Sequence, residues 1–586
     1  MSRYRDWLVS DYFDEETKEE LEAIKDNEAE IEDRFYKNMD FGTGGMRGKM
    51  GAGTNRINKY VIRKATQGLA NYIINYSEDG QEKGVVIAYD SRHNSPEFSL
   101  EAALVLAANG IKTYLFTGMR ATPELSYAVR ELDAIGGIVV TASHNPSEYN
   151  GYKVYWEDGG QVVPEQARDI IAEIEEIDDF SIVKTMDEME AANQGLLNYI
   201  GTEIDESYNQ TLMDILPDTD LAAEKGSNLS VVFTPLHGTG STVVPKLLSD
   251  LGFSELHVVQ EQADGDSDFS TVESPNPEDR EAFELALKLA AKKDADLIIA
   301  TDPDCDRMAP VVKDNDGNYQ FLNGNETGVL LADFLLREAK AAGKLPDNGA
   351  IIKSIVSTDM VIDIAADYGV EVIDVLTGFK FIGEKITEFE KSGDKEFILG
   401  FEESLGYLVG KHARDKDAAV AAGLATIMAL KYKEEGVNLL DRLAELREKY
   451  GYFLEDLESI RLEGKEGQET ITKTIAHLRE KSPEKIAGRK VKVAKDYKES
   501  KTIYLEEERE EELKLPKSNV LQYLLEGDAK LTIRPSGTEP KLKFYFAVRA
   551  KDQQAAEASL AEFKEKVMSE MEEIMGMSDR IIVLAE

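Results

Sequence analysis

The stretch TASHNP, residues 141–146, follows the apolar run 135–140 (IGGIVV) and sets the hydroxyl of Ser143 beside the imidazole of His144. A serine hydrolase would use that imidazole as its base. Neighbouring residues of an extended chain point to opposite faces, so His144 is badly placed to take the proton of Ser143. Ser143 is therefore a candidate nucleophile whose proton acceptor lies elsewhere. A second stretch, DLIIATDPDCDR at 296–307, ends a buried-strand pattern in three alternating carboxylates, Asp302, Asp304 and Asp306. Alternation on an irregular loop lets three oxygens converge on one hard cation, and an all-oxygen set suits Mg²⁺. A calcium loop is excluded, because its sixth position is Arg307 rather than glycine and its twelfth is Lys313 rather than glutamate. The acidic run DGDSD at 264–268 fails the same test, with Pro275 at the last position, and reads as a loop.

Two further stretches carry anion and hydroxyl chemistry. RPSGTEPK, 534–541, stands between strand patterns and offers Arg534, Ser536, Thr538 and Lys541 around Gly537. A guanidinium fork, two hydroxyls and free amides near a glycine make an anion cradle, most naturally for phosphate. In GFEESLGY, 400–407, Glu402 and Ser404 share a face of an extended chain and can accept from and donate to vicinal hydroxyls. FGTGGMRG, 41–48, lacks the Gly-Lys-Ser/Thr ending of a nucleotide phosphate loop. Its Arg47 either contacts a phosphate or is exposed on a glycine-permitted turn. Together a hydroxyl nucleophile, a Mg²⁺ triad, a phosphate cradle and a hydroxyl-binding Glu-x-Ser describe phosphoryl transfer on a sugar phosphate.

These stretches need elements to position them. Most follow apolar runs, and open α/β sheets present ligand sites at the carboxyl ends of their strands. A strand, helix and strand pattern recurs three times, beginning at VVIAYD (85–90), VVFTP (231–235) and AIIKSIVS (350–357), which predicts three mostly parallel, helix-covered sheets. Polar stretches near 205–228, 317–327 and 445–452 suit boundaries. After about 450 the texture becomes α+β, with a hairpin at KLTIRPSGTEPKLKFYFAVRA and a final amphipathic helix. Apolar spacing at Leu21, Ile24, Ile31 and Phe35 predicts one amphipathic helix within 11–39.

At 586 residues the chain is long enough for roughly three to five domains. With 112 acidic against 68 basic residues its formal charge is −44, which argues against nucleic acid and anionic membrane faces. The single cysteine, Cys305, rules out an internal disulfide and fits a reducing compartment. With no signal-peptide core and no apolar run of membrane-spanning length, the protein reads as soluble and cytoplasmic.

In order along the chain, from about Phe41 to Lys543, the motifs resemble the α-D-phosphohexomutase family. There TASHNP is similar to the phosphoserine loop, DPDCDR to the metal loop, EES to the sugar loop and RPSGTEPK to the phosphate loop. TGFKFIG (377–383), EESLG followed by RDKD (414–417), and FGTGGMRG look closer to the phosphoglucomutase and phosphopentomutase branch than to bacterial phosphomannomutases.

The resemblance implies that Ser143 carries a transferable phosphoryl group and that Asp302, Asp304 and Asp306 hold one Mg²⁺ per chain, with the serine phosphate as a further ligand. It implies that Arg307 contacts phosphate or the serine loop, that His144 contacts substrate phosphate or steadies the loop, and that Arg47, Lys153 and Lys380 surround the reacting hydroxyl, the lysines as acid and base. Thr377, Gly378, Glu402 and Ser404 would hold the sugar, and Arg534, Ser536, Gly537, Thr538 and Lys541 the non-reacting phosphate.

The implied fold is three similar mixed α/β domains plus a smaller C-terminal α+β domain around a central active-site cleft, with limits at 1–210, 211–322, 323–448 and 449–586. The implied reaction interconverts α-D-glucose 1-phosphate and glucose 6-phosphate through glucose 1,6-bisphosphate, which would also act as activator. Pentose or mannose phosphates are alternative substrates, and a sugar-phosphate-binding homologue without turnover is the more distant reading. The expected partners are small sugar phosphates only, on a monomer or weak homodimer. Two positions depart from the family pattern. Cys305 replaces a commoner alanine, and Gly406 stands where many bacterial relatives have histidine, which favours glucose over mannose.

Overall fold

A computed structural model describes residues 2–42, 44–462, 464–480, 482–536 and 541–576. They divide into two compact units, Met1–Ile352 with Gly378–Leu439, and Lys353–Thr377 with Leu440–Glu586.

The first unit holds two mixed sheets built on one plan. In one, Val85–Tyr89 lies between Gly136–Val140 and Thr113–Phe116, with Leu197–Ile200 beyond, all parallel. In the other, Val231–Thr234 lies between Leu256–Val258 and Leu297–Thr301, again parallel. The expectation of mostly parallel sheets is modified at one edge of each. Tyr149–Trp156 returns antiparallel to Gly136–Val140 and is followed outward by Gly45–Lys49, while Met308–Lys313 returns antiparallel to Leu297–Thr301 and pairs with Tyr319–Phe321. Glu396–Glu402 likewise turns into the antiparallel Gly406–Leu408. The serine, metal and sugar loops are thus one structural element used three times, the turn from a buried strand into an antiparallel partner.

Burial explains why these strands read as apolar runs: Gly136–Val140 and Leu297–Thr301 are buried at every position, as expected for strands covered on both faces. The core of the first sheet joins Val85, Ile87, Ile138 and Val140 to the helices Lys59–Tyr76 and Ser95–Ala108. Ala418–Glu435, apolar around its whole circumference, is the buried helix of this unit, capped by the Asp417 carboxylate on the Val420 N–H.

The single helix expected within 11–39 is two, Glu15–Ala23 and Glu28–Phe35, preceded by Ser2–Val9. The Asn27 side chain accepts the Glu30 N–H and starts the second helix, and the break folds Phe35 onto Trp7 beside Phe13 and Tyr60. Residues 205–228 are largely helical, in Thr202–Ile215 and Thr219–Lys225, because Ile204, Tyr208 and Leu212 repeat at helical spacing and are buried.

In the second unit an antiparallel sheet carries the helices Gly464–Glu480 and Gln553–Ile574. The expected hairpin is present as Ala529–Pro535 paired with Lys541–Ala550. Phe563 on the last helix is fully buried among Leu531, Phe544, Phe546 and Val548, a contribution of about 1.5–3 kcal/mol for such a ring. Among the described residues no helix is long and apolar enough to cross a membrane.

Candidate active site

Ser143 does not sit on an extended chain. Its φ is +54°, the left-handed region that a serine adopts only when its surroundings demand it. The turn removes the geometric objection to His144, because the Ser143 Oγ lies 3.1 Å from His144 Nδ1. Burial, with Arg307 and Arg47 nearby, pushes the imidazole well below its ordinary pKa, so the ring is neutral. The same Oγ donates to Asp302 Oδ2 at 3.0 Å, which ties the serine loop to the metal loop.

Asp302, Asp304 and Asp306 are buried, and a carboxylate oxygen of each lies within 4.8 Å of the others. The backbone N–H groups of Asp306 and Arg307 donate to Asp302 Oδ1, both at 3.0 Å. Lys153 Nζ donates to Asp304 Oδ2 at 2.7 Å and lies 3.8 Å from Asp306 Oδ2, while Thr122 Oγ1 also donates to Asp304 Oδ2, at 3.2 Å. Asp304 Oδ1 and Asp306 Oδ1 are buried without a hydrogen-bond partner among the described residues. Orphaned, converging carboxylate oxygens are the donor set of a hard divalent cation, so these residues fit Mg²⁺. Burial, followed by the charges of Asp304 and Asp306, pushes Asp302 well above the carboxylate range. Asp304 goes the other way: burial opposes its charge, but the Lys153 ammonium holds it below that range. Cys305 is buried with its Sγ toward Gly240, and burial, followed by the charges of Asp417 and Asp302, raises its thiol pKa well above the ordinary value, so it is an unreactive filler.

Arg47 is on a strand rather than a turn, paired opposite Gly151. Gly45, at φ +150°, allows this, because a Cβ there would stand 2.1 Å from the Tyr152 carbonyl oxygen. Arg307 bonds Glu278 through Nη1 at 3.3 Å. Lys380 opens the helix Lys380–Ser392 with its ammonium 5.5 Å from the Phe381 ring.

The ammonium that sequence reading missed is Lys416. Its Nζ lies 3.0 Å from Asp306 Oδ2 and 3.0 Å from Asp415 Oδ1, and Asp415 in turn accepts from the Tyr155 hydroxyl at 2.7 Å. Burial opposes its charge, but Asp306, Asp415 and Glu402 together keep it protonated to unusually high pH. The signal was RDKD set directly against the buried helix Ala418–Glu435, where a lysine is not on a solvated face. Gly406 makes room for it: a Cβ there would meet Lys416 Cδ at 2.3 Å.

Glu402 and Ser404 do not share a strand face, since the strand ends at Glu402 and residues 403–405 turn, with Leu405 at φ +63°. Glu402 Oε1 accepts the Gly378 N–H at 2.7 Å, which joins the two expected sugar-binding stretches. Burial, then the neighbouring Glu403, pushes the Glu402 carboxyl up to about 7. An acid whose pKa is raised by folding stabilises the fold below its ordinary pKa near 4.5, and that contribution is lost as pH rises through about 7. The ionised form is also the better acceptor for hydroxyl donors. Two trends are therefore expected between pH 5 and 8: thermal stability falls, and KM for a substrate held by Glu402 falls as well. Glu402→Gln should flatten both, and an unchanged pH profile in that variant would reject the assignment.

In the second unit Arg534 pairs opposite Lys543, and the Ser536 N–H donates to the Lys541 carbonyl at 2.8 Å, while Thr377 Oγ1 is buried with no hydrogen-bond partner among the described residues. Gly537 and Thr538 lie outside the described residues.

Comparison with known proteins agrees with this geometry. The family models described as phosphoglucomutase/phosphomannomutase alpha/beta/alpha domains I, II and III match residues 38–180, 206–317 and 323–450. The chain is 37% identical over 542 residues to a phosphoglucomutase of Staphylococcus epidermidis, covering 92% of this chain and 94% of that one. It is 37% identical over 532 residues to a phosphoglucomutase of Staphylococcus aureus, covering 90% and 93%. Among solved structures, the open form of Paramecium parafusin superposes with a TM-score of 0.69 at 17% identity, over 93% of this chain and 98% of that one. A putative phosphomannomutase of Thermus thermophilus gives 0.66 at 21%, over 91% and 99%. With its Ser143 hydroxyl bonded to a three-carboxylate centre and its sequence matched over 92% of its length, the chain belongs to the phosphoglucomutase/phosphomannomutase family.

Proposed function

We propose that the chain is a phosphoglucomutase, interconverting α-D-glucose 1-phosphate and glucose 6-phosphate through a phosphoserine at Ser143 and a glucose 1,6-bisphosphate intermediate. The observation that carries this reading is the Ser143 Oγ held 3.0 Å from Asp302 within the carboxylate cluster. A serine placed there can carry a phosphoryl group whose charge is met by a cation. Asp302, Asp304 and Asp306 would hold Mg²⁺ with an oxygen of the serine phosphate, and the bound ion would neutralise charge on the transferring group.

In the first half-reaction the Ser143 Oγ–P bond breaks and a bond forms from phosphorus to the free sugar hydroxyl. The hydroxyl loses its proton and the serine oxygen gains one. Lys153 and Lys416, both held protonated by the carboxylates around them, suit the acid and electrostatic parts of this exchange, and Lys380 remains the candidate base. His144, held neutral beside the serine oxygen, suits a hydrogen bond that orients the Ser143 hydroxyl rather than the role of base, so the proton exchange falls to the lysines. Arg47 and Arg307 would meet phosphate oxygens, and Thr377, Gly378, Glu402 and Ser404 the sugar. Arg534, Ser536, Gly537, Thr538 and Lys541 would take the phosphate that does not react, so the bisphosphate must turn over between half-reactions. We assign domain limits of 1–210, 211–322, 323–448 and 449–586 on the same basis.

The test is a comparison of initial rates on glucose 1-phosphate, mannose 1-phosphate and ribose 1-phosphate with bisphosphate and Mg²⁺ supplied. The highest kcat/KM is expected on glucose 1-phosphate. A preference for either other sugar replaces the substrate assignment, and no turnover on any of them rejects the mutase.

A further inference from the structure

We infer that Arg92 is the positioning residue of the serine loop, fixing the backbone around Ser143 so that its hydroxyl stays on Asp302. The inference rests on the reading of Ser143 as phosphoryl carrier. Arg92 belongs to YDSRH, residues 89–93, just beyond the strand Val85–Tyr89, and is 1% exposed. A guanidinium offers five N–H donors in one plane. Here Nη1 donates to the carbonyls of Pro146 at 2.8 Å and Tyr149 at 3.1 Å, and Nη2 to those of Ser143 at 2.6 Å and Asn145. The loop from Ser143 to Tyr149 therefore wraps a single side chain, which satisfies carbonyls that have no strand partner.

The fifth donor, Nε, goes to Asp90 Oδ2 at 3.1 Å, and Asp90 completes the frame. It accepts the Thr141 hydroxyl at 2.7 Å, and Thr141 Oγ1 accepts the Ser143 N–H at 2.8 Å. Ser143 is thus held on its amide side through Thr141 and on its carbonyl side by Arg92, which is how a non-glycine residue persists at φ +54°. The acidic run 264–268 closes over this frame. Phe269 stacks on the guanidinium at 4.9 Å, and the Ser267 hydroxyl donates to the Ser91 carbonyl at 2.8 Å. A buried ion pair is weak evidence for stability, and what this one supplies is geometry. Lysine cannot reproduce the fork, so Arg92 is not replaceable by charge alone.

The experiment uses full-length Arg92→Ala and Arg92→Lys. Displacing a reacting group by about 1 Å costs on the order of 10²-fold, so Arg92→Ala is expected to lose roughly 10²–10³-fold in kcat with KM for glucose 1-phosphate within about twofold. Methylguanidine added to that variant should restore at least about tenfold, since it can refill the fork. Arg92→Lys should keep its overall stability and still lose most of its kcat. A folded Arg92→Ala with kcat within about threefold of wild type, or one whose KM rises as much as its kcat falls, overturns the inference. Should Arg92→Ala not fold, hydrogen exchange in Arg92→Lys decides: faster exchange confined to 141–150 supports the clamp, and an unchanged pattern refutes it. Absence of both turnover and phosphoserine in the wild type would instead reject the mutase reading, while the exchange measurement would still judge the clamp.

Discussion

Ser143→Ala is expected to lose at least about 10⁴-fold in mutase turnover, on the order of 5 kcal/mol of transition-state stabilisation. The size follows from the chemistry. Without Oγ there is no atom to carry the phosphoryl group between half-reactions, and among the described residues no other side-chain hydroxyl is seen bonded to Asp302. The fold should hardly notice. The substitution removes a bond to Asp302 and a contact with His144, a cost of about 1 kcal/mol. Rates with glucose 1,6-bisphosphate supplied, intact mass to detect phosphoserine, and thermal unfolding separate the two effects. Activity within about tenfold of wild type would remove Ser143 from the mechanism, whatever the stability.

Removal of the divalent cation should be nearly as damaging and should show itself in stability as well as rate. Three buried carboxylates face two ammonium groups, Lys153 and Lys416, and two carboxylate oxygens have no partner among the described residues. A ligand that binds only the folded chain stabilises it by about 2.7 kcal/mol at a hundred times its dissociation constant. Dialysis against a chelator should therefore lower the unfolding temperature and abolish turnover, and Mg²⁺ should restore both. Asp304→Asn is expected to lose at least about 10³-fold in rate and most of the Mg²⁺-dependent stabilisation, because the amide offers a weaker donor and no charge. An Asp304→Asn variant that keeps the full thermal response to Mg²⁺ would exclude Asp304 as a ligand.

Much of this site was legible in the residues because each chemical group stands just past a buried strand. An apolar run that ends in DPDCDR or in SHNP has no structural need for those residue types, so their presence points to a ligand. The same reasoning failed where it assumed the strand continues. Ser143 is left-handed rather than extended, Glu402 and Ser404 are separated by a turn rather than alternating on a strand, and of the two alternatives for Arg47 the glycine-permitted turn is excluded because it lies in a strand. The division of 11–39 into two helices was missed because apolar spacing reports only which face is buried. It does not register a capping residue such as Asn27, whose side chain starts a new helix.

Sequence alone pointed to Ser143 as the candidate reacting hydroxyl, to the three carboxylates and to the family they resemble, because those properties are local: residue type, spacing, and position after an apolar run. Only the tertiary structure decided which ammonium meets which carboxylate, that Lys416 reaches Asp306 through the space left at Gly406, and that His144 lies on the Ser143 oxygen. These depend on segments far apart in the chain and on single hydrogen bonds that outweigh the backbone's own preference. The left-handed turn at Ser143, held from Thr141 on one side and Arg92 on the other, is the clearest case, since no periodicity in TASHNP encodes it.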